Sequence, residues 1–141
     1  MTGNMKPDAF PPPLKRPCVL FVEHDCDMRE MMGHILGQAG IEAVASDSMS
    51  EALVFAKHLH FDLILLDWQL AEGDGLELCR TIRAFDGQTP VYLTCGWAHG
   101  GRFRQAASAG AQGVLRKPLG ICNLLGLIAP TRGTLPARQA S

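Results

Sequence analysis

Four apolar residues, Leu63-Ile64-Leu65-Leu66, run straight into a carboxylate, Asp67. A short uninterrupted apolar run reads as a strand buried on both faces, the habit of a parallel sheet rather than of a one-sided antiparallel one. Open α/β sheets bind ligands in the crevice beyond the carboxyl ends of their strands. Asp67 is thus a candidate functional carboxylate by position alone, against the plainer reading of a loop cap.

The same punctuation recurs along the chain. Cys18-Val19-Leu20-Phe21-Val22 ends in Glu23-His24-Asp25, and Glu42-Ala43-Val44-Ala45 is a short second strand. Pro90-Val91-Tyr92-Leu93-Thr94 opens on a proline, as strand starts tolerate, and Gly113-Val114-Leu115-Arg116 exits through Lys117-Pro118. Helical patterns fill the intervals. Asp27 is placed near the start of the first helix, where a carboxylate favours the dipole and caps free N–H groups. Met28, Met31, Met32, Ile35 and Leu36 follow the spacing of one buried face, and Gly40 closes the helix. Ser48-Met49-Ser50-Glu51 matches a capping box, with Ala52, Phe55, Ala56 and Leu59 facing inward on a second helix. Leu76, Cys79, Ile82 and Arg83 mark a third, ending near Asp86-Gly87. Phe103, Ala106 and Ala107 belong to a fourth, closed by Gly110, and Ile121, Leu124, Leu125 and Ile128 to a short fifth.

Strand-then-helix units with short connections predict an α/β fold: a doubly wound five-stranded parallel sheet with helices on both faces. Right-handed crossovers favour the order 2-1-3-4-5. In that order the first and third strands are neighbours, so Glu23, His24 and Asp67 converge, and the last two strands add Thr94 and Lys117. Crowded carboxylates invite a shifted pKa or a divalent cation, and oxygen donors select hard cations, with magnesium the obvious one. Lys117 offers a positive charge and Thr94 a hydroxyl, both suited to phosphate oxygens. A carboxylate nucleophile beside a metal and a lysine is the equipment for forming an aspartyl phosphate.

Composition narrows the class. A chain of 141 residues with 47% hydrophobic content suits one domain with a sizeable core. Its 13 Lys+Arg against 14 Asp+Glu argue against nucleic acid as the main partner. Between Cys18 and Ile128 the balance is 8 basic to 13 acidic side chains, a net of −5. The 5 scattered cysteines, with no C-x-x-C, fit a reducing cytoplasm better than a disulfide scaffold or a zinc site. With no leader pattern and no long apolar stretch, a cytoplasmic protein without membrane contact is expected. Residues 1–17, rich in proline, read as a flexible arm, residues 18–128 as the domain and residues 129–141 as a flexible tail.

Over residues 18–128 the chain resembles the receiver domain of bacterial two-component response regulators, a flavodoxin-like fold. The matching segments are Val22-Glu23-His24-Asp25, Leu66-Asp67-Trp68-Gln69-Leu70-Ala71-Glu72-Gly73-Asp74-Gly75, Thr94, and Lys117-Pro118. The resemblance implies that Asp67 accepts a phosphoryl group from a sensor histidine kinase or a histidine phosphotransfer protein. It implies magnesium held by Glu23, Asp67 and the backbone carbonyl of Gln69, with Thr94 and Lys117 on the phosphoryl oxygens and a cis Lys117–Pro118 bond. It also implies a signalling module rather than an enzyme, catalysing only its own phosphorylation and dephosphorylation. Such a module works as a monomer or weak homodimer through phosphorylation-dependent contacts, with Arg102, Phe103 and Arg104 on a candidate surface. Little chain follows the last helix, so the single-domain type is expected.

Two departures stand out. His24 occupies the place of the family's second metal-binding acid, and imidazole is a poor magnesium ligand. Asp25 reaching in, weak magnesium binding through Glu23, Asp67 and water, and a degenerate, phosphorylation-independent docking module are the three readings. Weak magnesium binding is the expectation and the docking module the alternative. The family's aromatic residue three positions before the lysine is Val114 here. Trp97 is the candidate to take over its reporting role, against the plainer reading of a surface aromatic, and Trp68 is expected to line the same mouth. Gly73 and Gly75 read as turn residues, because no phosphate-binding glycine motif follows any strand.

Overall fold

The computed structural model describes residues 16–97 and 100–128. The expected arm, apart from Arg16 and Pro17, and the expected tail lie outside those residues. Strands β1 (Cys18–Val22), β2 (Glu42–Ser46), β3 (Leu63–Asp67), β4 (Val91–Cys95) and β5 (Gly113–Arg116) alternate with five helices. These are α1 (Cys26–Gln38), α2 (Met49–His58), α3 (Gly75–Arg83), α4 (Gly100–Ala109) and α5 (Ile121–Ile128). All strand pairings in the sheet are parallel and the order is β2-β1-β3-β4-β5, as the sequence predicts.

Alternation along each strand divides the core in two. Leu20, Val22, Ile64, Leu66 and Leu93 point to the face covered by α2, α3 and α4, through Ala52, Leu78, Ile82 and Ala106. Val19, Phe21, Leu63, Leu65 and Tyr92 point to the other face, under Met32 and Leu36 of α1 and Leu124 and Ile128 of α5. Each fully buried Val, Leu, Ile, Phe or Met among these contributes about 1.5–3 kcal/mol of transfer free energy. The two central strands, β3 and β4, are buried along their whole length, which is why they read as continuous apolar runs.

The helix ends differ from expectation in instructive ways. Asp25, not Asp27, caps α1: its Oδ1 accepts the backbone N–H groups of Asp27 at 2.9 Å and Met28 at 3.3 Å. Ser48 caps α2 as expected, accepting from Glu51 N at 3.2 Å. The return half of the box goes elsewhere, because Ser46 Oγ donates to Glu51 Oε1 at 2.7 Å and accepts from Ser48 N at 3.1 Å. Met31 and Leu59, read as inward-facing, are exposed. The buried ridge of α1 runs through Met32 and Leu36, which turns Met31 outward, and Leu59 lies past the end of α2 in extended conformation. Helix α3 stops at Arg83, before Asp86, whose carboxylate instead binds the turn leading to β4. Gly40 and Gly110, at φ 80° and 99°, turn the chain out of α1 and α4.

Candidate functional site

Parallel register decides which residues meet at the carboxyl edge of the sheet. Val22 pairs with Leu66, which sets Glu23 beside Asp67; Asp67 pairs with Thr94; Cys95 pairs with Arg116, which leaves Lys117 just beyond. The ladder continues past the strands through Glu23 N to Ser46 O at 3.0 Å, Trp68 N to Thr94 O at 2.8 Å and Lys117 N to Cys95 O at 2.8 Å. These bonds fix the backbone from which the polar side chains depart. The Lys117–Pro118 peptide is cis, in agreement with expectation.

The polar cluster is buried: Glu23 is 0%, Asp67 2% and Thr94 0% exposed. Lys117 Nζ lies 3.0 Å from Glu23 Oε1, 3.2 Å from Glu23 Oε2 and 3.3 Å from Asp67 Oδ1. Asp67 Oδ1 also faces the backbone N–H of Gln69 at 3.4 Å. Its other oxygen, Oδ2, accepts the His24 backbone N–H at 3.2 Å and is hydrogen-bonded to the His24 ring at Nδ1. Glu23 Oε2 accepts from Asp25 N at 3.1 Å, and the Glu23 carbonyl accepts from the Arg29 guanidinium at 2.9 Å.

Two carboxylates sharing one ammonium ionise unequally. Burial, the largest influence, pushes the Glu23 carboxyl above its ordinary value, and the Asp25 N–H and Lys117 counter it only in part. Burial pushes Asp67 the same way, but hydrogen bonds from the His24 ring, Glu23 and the His24 N–H, with the Lys117 charge, hold it below its ordinary value. The two titrate as a pair, with the proton favoured on Glu23 and the charge on Asp67. Burial would lower Lys117; the two carboxylates outweigh it and hold the ammonium above its ordinary value. The carboxylate that stays ionised is therefore Asp67.

One buried polar atom of the cluster is unpartnered: Thr94 Oγ1 finds no hydrogen-bond partner among the described residues, while Glu23 Oε1 is ion-paired with the Lys117 ammonium at 3.0 Å. Glu23, His24 and Asp67 each offer one ligand atom, and these atoms all lie within 4.8 Å of one another. Two carboxylates at that spacing fit a divalent cation; the imidazole is the member that magnesium does not favour. Asp25 stands outside this group, exposed and engaged in capping α1.

The chain after Asp67 folds into a small antiparallel hairpin in which Gln69 pairs with Asp74 and Leu70 with Gly73. At its tip Glu72 Oε1 accepts the Met49 N–H at 2.7 Å, joining this loop to the start of α2. Gly75, read from sequence as a turn residue, is a close-approach residue. A Cβ there would lie 2.4 Å from the Asp67 carbonyl oxygen and 2.6 Å from Leu93 Cδ1. No single-sequence signal distinguishes the two kinds of glycine.

Both tryptophans carry an arginine. Trp68 is 8% exposed, with the Arg102 guanidinium 4.4 Å from its ring centroid, and Trp97 is 66% exposed, with Arg116 at 5.5 Å. Sequence reasoning picked out Arg102 as a surface residue and missed that it covers the neighbour of Asp67. Among the described residues, no helix is long and apolar enough to cross a membrane.

Comparisons with known proteins agree on the family. The response regulator receiver domain model matches residues 19–129. The response regulator protein PilR of Pseudomonas aeruginosa is 31% identical over 116 residues, covering 82% of this chain and 26% of PilR. The sensor histidine kinase AruS of the same organism is 34% identical over 123 residues, 84% of this chain and 12% of AruS. The chain thus spans a small part of either relative. Among solved structures, the chemotaxis protein CheY4 of Vibrio cholerae superposes with a TM-score of 0.77 at 26% identity, covering 83% of this chain and 99% of that one. A two-component response regulator from Clostridium difficile gives 0.76 at 24% identity, covering 83% and 96%, which speaks to the fold alone. With the model match running from β1 through α5 and the polar residues gathered at one sheet edge, this chain belongs to the response regulator receiver domain family.

Proposed function

We propose that the chain is a phosphoacceptor module that takes a phosphoryl group on Asp67 from a phosphohistidine of a sensor kinase or phosphotransfer protein. It then signals through protein contacts that change on phosphorylation. The observation that carries the reading is the environment of Asp67: a buried carboxylate kept ionised, with the Lys117 ammonium 3.3 Å from Oδ1 and the unpartnered Thr94 hydroxyl on the adjoining strand. Oδ1, the oxygen clear of the His24 ring, is the nucleophile. Its lone pair attacks phosphorus as the P–N bond breaks. The bonding pair stays on the donor's ring nitrogen, and the donor leaves as imidazole once its other nitrogen holds a proton. Lys117 neutralises charge on the transferring oxygens, and Thr94 donates to one of them.

Glu23, Asp67 and the backbone carbonyl of Gln69 are the groups that would hold a divalent cation. The ion would supply further charge neutralisation at the phosphoryl oxygens. Magnesium is held weakly, because imidazole replaces a carboxylate at His24. Trp97 is the candidate reporter of the phosphorylated state. Kinship with both a response regulator and a sensor kinase supports a histidine-to-aspartate relay as the setting.

Incubation with acetyl phosphate and a divalent cation, read by intact mass, tests the proposal. One phosphoryl adduct that Asp67→Asn abolishes is the expected result. The placement of the His24 ring on Asp67 favours one rival, a docking domain that never phosphorylates. No adduct on the folded wild-type chain would favour that rival.

A further inference from the structure

His24 is the third corner of a cluster whose other corners are carboxylates. Its Nδ1 is hydrogen-bonded to Asp67 Oδ2 and lies 3.4 Å from Glu23 Oε2. The half-exposed ring therefore turns its Nδ1 toward the two acids. Asp25 stands outside the group whose ligand atoms converge, with its Oδ1 on two backbone N–H groups of α1. A second observation marks the cluster as built for a guest. The wholly buried Thr94 hydroxyl, on the strand beside Asp67, has no hydrogen-bond partner among the described residues, and the wholly buried Glu23 Oε1 has only the Lys117 ammonium, at 3.0 Å. Native interiors leave few such atoms unsatisfied without a reason.

The donor set then decides which guest. Magnesium demands octahedral oxygen ligands and gives up its waters reluctantly. Iron, nickel, copper and zinc dications accept imidazole readily, and manganese, the weakest of the first-row series, still accepts it better than magnesium does. We propose that the Glu23–His24–Asp67 cluster selects first-row transition dications over magnesium, with His24 Nδ1 as the discriminating ligand. The inference rests on the reading of this edge as the phosphoacceptor site and names the ion that would serve it. Its consequence is that supply of a transition ion, and not the ever-present magnesium, sets how readily Asp67 is charged.

Manganese(II) is the probe, because zinc would also seek the exposed thiols of Cys26 and Cys122. Calorimetric titration of the full chain with manganese(II) and with magnesium gives the affinity ratio for wild type, His24→Asp and His24→Ala. Electron spin-echo spectroscopy of the manganese-loaded proteins then reads directly whether a ring nitrogen is bound. The expected result is a manganese preference that falls by about tenfold or more in His24→Asp, a gap of one decade in binding constant. A nitrogen coupling present in wild type should be absent in both variants. A ratio unchanged in His24→Asp overturns the proposal, as does the absence of nitrogen coupling in wild type. Failure of the phosphoacceptor reading looks different: the ion preference and nitrogen coupling persist while neither ion supports an adduct on Asp67.

Discussion

His24 holds Asp67 twice through the same oxygen: its backbone N–H reaches Oδ2 at 3.2 Å, and its ring Nδ1 bonds that atom as well. The backbone contact survives any substitution except proline, while the ring contact is particular to histidine. His24→Asp therefore has opposite effects with and without a cation. In metal-free buffer a third carboxylate joins Glu23 and Asp67, and like-charge repulsion lowers stability by about 1 kcal/mol. With magnesium the affinity rises about tenfold, so saturating ion stabilises the variant more than the wild type by about 1.4 kcal/mol. Thermal melts across a magnesium series should show the two curves crossing. Parallel curves would mean that His24 does not govern the cation.

Gly75 sets how close α3 comes to the strand that bears Asp67. With a Cβ placed 2.4 Å from a backbone carbonyl oxygen, no side-chain rotation relieves the clash. Gly75→Ala should cost about 2–3 kcal/mol, seen as a lower urea midpoint at unchanged slope. The same change made at Gly87, where a Cβ meets nothing within 4 Å, is the control and should be near neutral.

The two tryptophans predict separable signals. Trp68 is buried beneath Arg102 and next to Asp67, whereas Trp97 is exposed and lies beyond Thr94. The fluorescence change on adding a phosphodonor should persist in Trp68→Phe and vanish in Trp97→Phe. The reverse pattern would assign the reporting role to Trp68 and its arginine.

Asp86 anchors the turn from α3 into β4. Its Oδ1 accepts from Gln88 N at 2.9 Å and Thr89 N at 3.1 Å, and Oδ2 accepts from the Thr89 hydroxyl at 2.6 Å. Burial alone would raise this carboxyl; those bonds and the Arg83 charge hold it below its ordinary value. A depressed carboxyl stabilises the fold at pH above its unfolded value and loses that contribution as pH falls through the folded one. Asp86→Asn should cost about 1 kcal/mol near neutrality. The gap to wild type, followed by denaturant melts, should shrink as pH drops below 3.8. A gap that stays constant well below that acidity would show that the charge is not what the turn uses.

Much of this was legible in the chain because charges that interrupt apolar runs are conspicuous. Glu23 and Asp67 each terminate an apolar run too short for a helix, Lys117 follows another by one residue, and a parallel sheet admits few ways to order five such runs. Less legible was anything decided by a neighbour remote in sequence. Asp25 and Asp27 are equivalent as caps until the helix start is known. Glu51 abandons its box because Ser46 is nearer. Met31 fits an inward spacing, but the ridge that meets the sheet is the one through Met32 and Leu36. Gly75 differs from Gly73 only in what stands opposite it, and Arg102 shows no sign in the sequence of lying over Trp68.

The span of the Lys117 contacts carries a consequence for how the chain comes into being. Lys117 meets Asp67 across 50 residues and Glu23 across 94. Synthesis proceeds from the N-terminus, so both acids are made well before their cation exists. Laying β1 against β3 at that stage presses two acids together with only the His24 ring and a proton on Glu23 to ease them, an arrangement that buried charges resist. Docking of β5 at the sheet edge then brings the ammonium that balances the pair. Strand β5 thus carries the charge that steadies the contact between the first and third strands.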